Sequence, residues 1–314
     1  MSNILVTGGA GFIGSHVCAA LLRAGRSVIA LDNFDDFYDP EIKQRNITEL
    51  LGSGGFSLVN GDIRDEVAVN DLLSHGVDAV IHLAARAGVR PSIEHPLLYE
   101  DVNVHGTAVL LEACRTHQVR NFVFASSSSV YGNNRKIPFA ESDRVDEPIS
   151  PYAATKRAGE LLAYTYHHLY GMNVTCLRLF TVYGPRQRPD LAIHKFARLI
   201  EAGKPVPVYG DGSMMRDFTY IDDIVGGVLR ALDRCQGYHI YNLGESRPVS
   251  VNELIAALET ALGRKATIER LPPQPGDVER TCADVSLAQA ELGYEPKTEL
   301  PEGLGRFVEW LRGA

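Results

Sequence analysis

Tyr152 and Lys156 stand four residues apart in "SPYAATKRAGELLAYTYHHLYG", which puts both on one face of a helix. A phenol ordinarily titrates at about pH 10, and a neighbouring ammonium stabilises the phenolate and lowers that value. Such a tyrosine can take the proton of a bound hydroxyl as a general base. Alone, the spacing is a common accident that leaves a solvated lysine beside a half-buried tyrosine. A second oddity stands nearby. In "FASSSSVYG", residues 124–132, an apolar run ends in four consecutive serines, Ser126, Ser127, Ser128 and Ser129. Four hydroxyls in a row suit neither a strand interior nor a helix, and by themselves they read as a solvated loop.

The glycines of "VTGGAGFIG" supply the third element. Gly8, Gly11 and Gly14 recur at three-residue spacing, and Gly9, Gly11 and Gly14 also satisfy G-x-G-x-x-G, so the pattern alone does not choose between them. Either way the demand is a tight turn, close backbone approach to a pyrophosphate, and close packing of helix on strand. The motif follows an apolar run and opens a helical one, and Asp32 ends the next apolar run. A carboxylate there suits the adenosine ribose hydroxyls and repels a 2′-phosphate, and Asn33 follows with no adjacent arginine, so NAD is expected rather than NADP. Gly8, Gly11, Phe12, Ile13, Gly14, Asp32 and Asn33 are the expected cofactor-binding residues of this stretch. With a dinucleotide present, Tyr152 can take a proton from a hydroxyl while hydride leaves the same carbon, and the positive nicotinamide ring adds to the effect of Lys156.

The elements that must position these groups alternate. "NILVTG", "SVIALD", "FSLVNGD", "DAVIHLA" and "NFVFAS" read as strands, separated by helical stretches such as "FIGSHVCAALLRAG" and "LLYEDVNVHGTAVLLEACRTH". Near-continuous apolar strands between helices predict an α/β fold, a Rossmann-type doubly wound parallel sheet covered on both faces. Ligands then sit beyond the carboxyl ends of the strands, where Gly8, Asp32, Asp62, Ala84 and the serine run all fall. From about Thr181 the chain turns rich in Pro, Gly and Arg, while "RDFTYIDDIVGGVLRAL" and "HIYNLG" read as a return to the sheet. The expected division is a cofactor-binding domain over 1–181, rejoined by 217–244, and a smaller interleaved substrate-binding region over 182–216 and 245–314.

Bulk properties exclude other classes. The chain has 314 residues, 45% hydrophobic and 22% charged, with a formal net charge of −8, which argues against a nucleic-acid partner. No apolar run reaches membrane-spanning length, and the start shows no basic region followed by an apolar core and cleavage site. Cys18, Cys114, Cys176, Cys235 and Cys282 are widely spaced, as free thiols in a reducing cytoplasm would be. His167 and His168 lack a partner at metal-ligand spacing, so no metal is expected; Asp35, Asp36 and Asp39 read as a solvated acidic loop.

Taken together, "VTGGAGFIGSH", "LDN", "GDIRD", "HLAA", "VNVHGT", "SSSSVYG", "SPYAATK", "RLFTVYGP", "RDFTYIDD" and "PGDVERTCAD" give the chain a nearly end-to-end resemblance to the extended short-chain dehydrogenases/reductases, specifically to nucleotide-sugar epimerases. The resemblance implies that Ser127, four residues before Tyr131, hydrogen-bonds the reacting sugar oxygen alongside Tyr152 and Lys156. It also implies that Asp62 and Ile63 meet the adenine, that Leu83, Ala84 and Ala85 line the cofactor's middle, and that Asn103 and Thr181 support the site. Arg216 would meet the nucleotide diphosphate and Asp277 the nucleotide ribose. Where some relatives carry a diphosphate arginine, Gln274 stands, and either the duty falls to Arg188 or Arg280 or the pocket is built differently. The long helices 98–117 and 152–170 pair subunits in relatives, which implies a homodimer.

Enzymes of this family begin by oxidising the sugar C4 to a ketone. Dehydratases place Asp-Glu where Ser128 and Ser129 stand, and decarboxylases a glutamate at Ser129, so C4 epimerisation with no net change in NAD is expected. "AGVRPS" and "FTVYGPRQRPDLAIHKF" resemble UDP-glucuronate 4-epimerases more than UDP-galactose 4-epimerases. A 4-keto uronate is a β-keto acid, and Ser127, Ser128, Ser129 and Thr181 can hold its carboxylate away from the angle that releases CO2, without a full positive charge deep in the pocket. Thr281, small where some relatives carry a bulky residue, leaves N-acetylated sugars open, so UDP-glucose and UDP-GlcNAc stand as alternative substrates and decarboxylation as a weaker alternative reaction.

Overall fold

The computed structural model describes residues 2–272 and 278–313. Its twelve strands are β1 (Asn3–Thr7), β2 (Ser27–Asp32), β3 (Phe56–Asn60), β4 (Ala79–His82), β5 (Asn121–Ser127), β6 (Asn173–Leu179), β7 (Thr181–Tyr183), β8 (Val206–Tyr209), β9 (Met215–Tyr220), β10 (Tyr238–Leu243), β11 (Pro248–Ser250) and β12 (Ile268–Leu271). Seven form one sheet in the order β10-β6-β5-β4-β1-β2-β3, every neighbouring pair parallel. Alternate residues bury against opposite layers: Ile4, Val6 and Val123 on one side, Leu5, Phe122 and Phe124 on the other. That two-sided burial is why these strands read as unbroken apolar runs.

The order reverses between β1 and β4, and a crevice opens where the connections from the two strand ends diverge. The helix Phe12–Arg23 starts at the tip of β1. The helix Pro151–Tyr170 is set by its own ends: the Ser150 hydroxyl accepts from Ala153 N at 3.1 Å, Pro151 occupies the first turn, and Gly171 closes it at φ +67°. The expected long helix before β5 is in fact three segments, Pro96–Glu100, a π-type turn over Asp101–His105, and Gly106–Thr116.

The later part of the chain builds a three-stranded sheet, β11-β9-β7, and a parallel pair, β12-β8. The strand in "RDFTYIDD" therefore does not rejoin the large sheet: β9 pairs with β7 and β11. Its apolar alternation suited either sheet, and Thr181–Tyr183, already diverted from β6, offers it an edge. The return is made by the helix Ile221–Asp233, which packs on the large sheet, and by β10 at that sheet's edge. All five cysteines are free and buried. Among the described residues no helix is long and apolar enough to cross a membrane, and no group of three or more His, Cys, Asp or Glu is arranged to hold a metal.

Candidate active site

A cleft of about 500 Å3 runs along the carboxyl ends of the strands and is lined from β1 to β9. At one end Gly8 turns the chain at φ +69°, and a Cβ there would lie 2.9 Å from Ala84 N. Gly14 is tighter still, its Cβ position lying 2.0 Å from Gly8 O, whereas Gly9 packs toward Ala30 of β2. Gly8, Gly9 and Gly14 all lack room for a side chain, and among them Gly8 alone also needs a positive φ. Gly11 precedes the first turn of Phe12–Arg23, and a helix opening there presents backbone N–H groups and a positive dipole end to an anion. Leu83 N and Ala84 N donate to Thr7 O and Thr7 Oγ1, both at 3.2 Å, which fixes the opposite wall.

Asp32 is buried at the tip of β2, accepting from Ala10 N at 3.1 Å and Phe34 N at 2.9 Å, with Lys43 Nζ at 3.4 Å. Asn33 donates to the Asp62 carboxylate at 2.9 Å. Arg64 grips the same carboxylate and holds the Asp62 pKa down at about 2. Ile63 and Ala85 also line the cleft. A glycine turn that no side chain could enter, a helix start facing it and a carboxylate at the next strand tip together fit a bound dinucleotide.

Toward the other end the four serines divide. Ser126 turns inward and donates to buried Glu160 at 2.6 Å. Ser127 Oγ accepts from Ser129 N at 3.2 Å and Ser129 Oγ at 2.9 Å, and it lies near enough to the Tyr152 phenol to favour its charged form. Ser128 and Ser129 start the short 3-10 turn Ser128–Tyr131 at the cleft wall. Burial raises the Tyr152 pKa, and the Ser127 side chain and the Arg188 charge oppose it without reversing it. The expected lowering by Lys156 is thus not what the geometry produces. Lys156 Nζ donates to Ala125 O at 2.7 Å and sits 5.2 Å from the Phe124 ring centre, and burial lowers its pKa to about 8.

Thr181, Arg188, Arg216 and Thr281 line the same cleft. Arg188 binds Asp190 through two hydrogen bonds, at 3.0 and 2.8 Å, and its charge reaches Tyr152, so this end of the pocket does contain a cation. Arg280 lies beside β9, bridged to Met215. Asp277 and Gln274 fall outside the described residues. Asn103 stands behind the cleft: the π-type turn brings its Oδ1 to Arg86 N at 2.8 Å and its Nδ2 to Arg86 O and Thr155 Oγ1, each at 3.0 Å. Sequence reasoning missed Arg86, Lys43 and Phe37, all lining the cleft, and placed Asp35 in solvent although it pairs with Arg86 across that cleft.

Beneath the tyrosine helix lies a buried ion pair. Arg178, 1% exposed, binds Glu160, 0% exposed, through two 2.9 Å hydrogen bonds and donates to Tyr131 OH at 3.0 Å. Burial opposes the Glu160 charge, but Arg178 and Ser126 prevail and hold its pKa below the ordinary value. This network fixes the helix carrying Tyr152 and Lys156 to β5 and β6.

Sheet, glycine turn and Tyr–Lys helix together define an extended short-chain dehydrogenase/reductase. Residues 4–244 match the model of the NAD dependent epimerase/dehydratase family, and the chain belongs to that family. It is 46% identical to the UDP-glucuronate 4-epimerase of Thermodesulfobacterium geofontis, over 99% of this chain and 97% of that one. UDP-glucuronate 4-epimerase 5 of Arabidopsis thaliana is 47% identical over 99% of this chain and 76% of its own. A crystal structure of UDP-glucuronic acid 4-epimerase from Bacillus cereus, in complex with UDP-glucuronic acid and NAD, superposes with a TM-score of 0.94 at 38% identity, covering 99% of both chains.

Proposed function

We propose that this protein is an NAD-dependent UDP-sugar 4-epimerase that interconverts UDP-glucuronate and UDP-galacturonate through a transient 4-keto sugar. The observation that carries the reading is the meeting of Ser127 and Tyr152 in one cleft, beside the hydroxyls of Ser128 and Ser129 where an acid and base would be needed for elimination. NAD, held by the cleft's residues, would supply the acceptor and later the donor of the C4 hydride.

Tyr152 takes the 4-hydroxyl proton as the C4–H bond breaks, holds it while the ketone exists, and gives it back to O4 when hydride arrives on the other face. Ser127 directs the phenol and the sugar oxygen toward each other. Lys156, one helical turn on, supplies a second cation that would orient the cofactor's ribose, and its lowered pKa keeps it ready to exchange a proton near neutral pH. Ser128, Ser129 and Thr181 hold the uronate carboxylate, and Arg188 completes their grip with its charge. That position suits Arg188 to the sugar more than to the diphosphate, which is left to Arg216 with Arg280 near β9. Gly8, Gly11, Phe12, Ile13 and Gly14 hold the pyrophosphate, Asp32 and Asn33 the adenosine ribose, Asp62 and Ile63 the adenine, and Leu83, Ala84 and Ala85 the middle of the cofactor. Asn103 supports this wall, and Asp277 serves the nucleotide ribose.

Residues 1–181 with 217–244 act as the cofactor-binding part, and 182–216 with 245–314 as the substrate part. The enzyme works in the cytoplasm as a homodimer: Leu161, Tyr164, Leu169 and Tyr170 expose apolar surface on the Pro151–Tyr170 helix, and Leu97 does so on Pro96–Glu100. The test is a product assay. Purified protein with NAD is offered UDP-glucuronate, UDP-glucose and UDP-GlcNAc separately, with products resolved by NMR and CO2 trapped. Conversion of UDP-glucuronate to UDP-galacturonate with little CO2 supports the reading; preference for another sugar overturns the substrate, and stoichiometric CO2 overturns the reaction.

A further inference from the structure

The acidic run after β2 is not a free loop. Four of its acidic or amide side chains cap a backbone group two residues on: Asp32 accepts from Phe34 N at 2.9 Å, Asn33 from Asp35 N at 3.0 Å, Asp35 from Phe37 N at 2.9 Å, and Asp39 from Glu41 N at 3.0 Å. Phe34 is turned into the left-handed region at φ +51°. The result is that Asp35 and Phe37 face the cleft. Asp35 pairs with Arg86. The Phe37 ring has the guanidinium carbon of Arg86 at 5.0 Å from its centre and that of Arg188 at 5.2 Å. Arg86 is held from behind by Asn103, and Arg188 from its far side by Asp190.

We propose that Phe37 is a positioning residue that, set between Arg86 and Arg188, directs the Arg188 guanidinium at Tyr152. This rests on the reading of Tyr152 as the proton carrier. An aromatic face attracts a guanidinium through the ring quadrupole and restricts its direction, and Asp190 alone fixes one edge of the Arg188 fork. Ser127 of β5 and Arg188 line the same cleft as Tyr152 and act to lower its pKa, the Tyr99 ring of the Pro96–Glu100 helix stands edge-on with its centre 6.2 Å away, and on its own helix Lys156 turns to Ala125. Of these, Arg188 is the charge that favours the phenolate, and its direction governs how readily Tyr152 gives up its proton. Arg188 also faces Tyr38 and Asp190, neither of which carries a positive charge that could replace it.

Phe37→Leu keeps apolar bulk and removes the ring face; Phe37→Tyr keeps the face. With UDP-glucuronate, Phe37→Leu is expected to move the rising limb of the kcat–pH profile upward by about one unit, to lower kcat near neutral pH about tenfold, to raise KM as Arg188 leaves the carboxylate, and to leave the melting temperature little changed. Phe37→Tyr restores the wild-type profile. Asp35→Asn, which loosens only the Arg86 side, gives a smaller shift in the same direction and serves if the leucine variant does not fold. An unshifted profile in both variants overturns the proposal. Crystal structures of wild type and Phe37→Leu decide it without turnover: Arg188 unmoved beside Tyr152 overturns it, and Arg188 turned away supports it. Wild-type protein inactive on every UDP-sugar overturns the epimerase reading instead, while the position of Arg188 still settles this one.

Discussion

At the dinucleotide end of the cleft the walls are mostly backbone. Gly8 N donates to Leu31 O at 2.7 Å, Gly11 N to Gly8 O at 3.1 Å and Ala10 N to the Asp32 carboxylate at 3.1 Å, so neighbouring turns brace one another. At the sugar end the walls are side chains from separate stretches: Ser127, Tyr152, Thr181, Arg188 and Arg216. A backbone wall allows few changes of residue, because a Cβ at Gly8 meets Ala84 N. A side-chain wall can be altered one group at a time without moving the chain. That contrast lets the sugar end be altered while the cofactor end is kept.

The largest effect is expected where a side chain does the chemistry. Tyr152→Phe should lower kcat by about 10²–10⁴-fold, with the NAD content of the purified protein falling far less; equal loss of both would erase the distinction between the ends. Next comes the support under the sugar end. Glu160→Gln leaves Arg178 charged and buried without its partner, and urea unfolding should register a loss of about 3–5 kcal/mol. A loss under 1 kcal/mol would mean that the helix is fixed by packing alone. Gly8→Ala strikes the backbone wall, and with φ +69° and the Ala84 contact it should cost about 1–3 kcal/mol and deplete bound NAD, read from the absorbance of the released cofactor.

At neutral pH the smallest effect is that of His82 beneath the dinucleotide end, which shows only on acidification. His82 lies between Thr7 Oγ1 at 2.7 Å and Thr107 Oγ1 at 3.0 Å, and burial lowers its pKa to about 3. An unfolded histidine titrates at about 6.5. Above that value His82 is neutral in both states and its contribution is complete. As pH falls from there toward 3, the unfolded chain takes up a proton that the native state refuses, and stability drops by about 1.4 kcal/mol per pH unit. His82→Gln should flatten the fall of the urea midpoint between pH 6 and 4; an unchanged slope would place acid sensitivity elsewhere.

The same contrast marks what the sequence disclosed. Gly8, Gly11 and Gly14, with Asp32 one strand later, act through short-range turns, and the five strands leading to Ser127 show as apolar runs because both faces are buried. Tyr152 and Lys156 share a helix face whatever surrounds them. Arg86, Lys43 and Phe37 gave no signal, since each is a loop or helix residue that reaches the cleft only once the sheet has formed. Asp35 was read as solvated because an acidic loop residue usually is, and its partner Arg86 is distant along the chain. The Tyr152 pKa went the other way because burial, which spacing does not reveal, outweighs the charge near it. In β9 the alternation revealed a strand but not its sheet.

The position of β10 has a consequence for synthesis. The outer edge of β6 is paired only by Tyr238–Leu243, a strand made well after β6 itself, and at ribosomal speeds of about 5–20 residues per second the edge stays open for on the order of seconds. During that interval the nascent chain presents an apolar strand, Asn173–Leu179, to any neighbour able to pair with it. Yield in the cell should therefore depend on how quickly the ribosome crosses the stretch between these two strands.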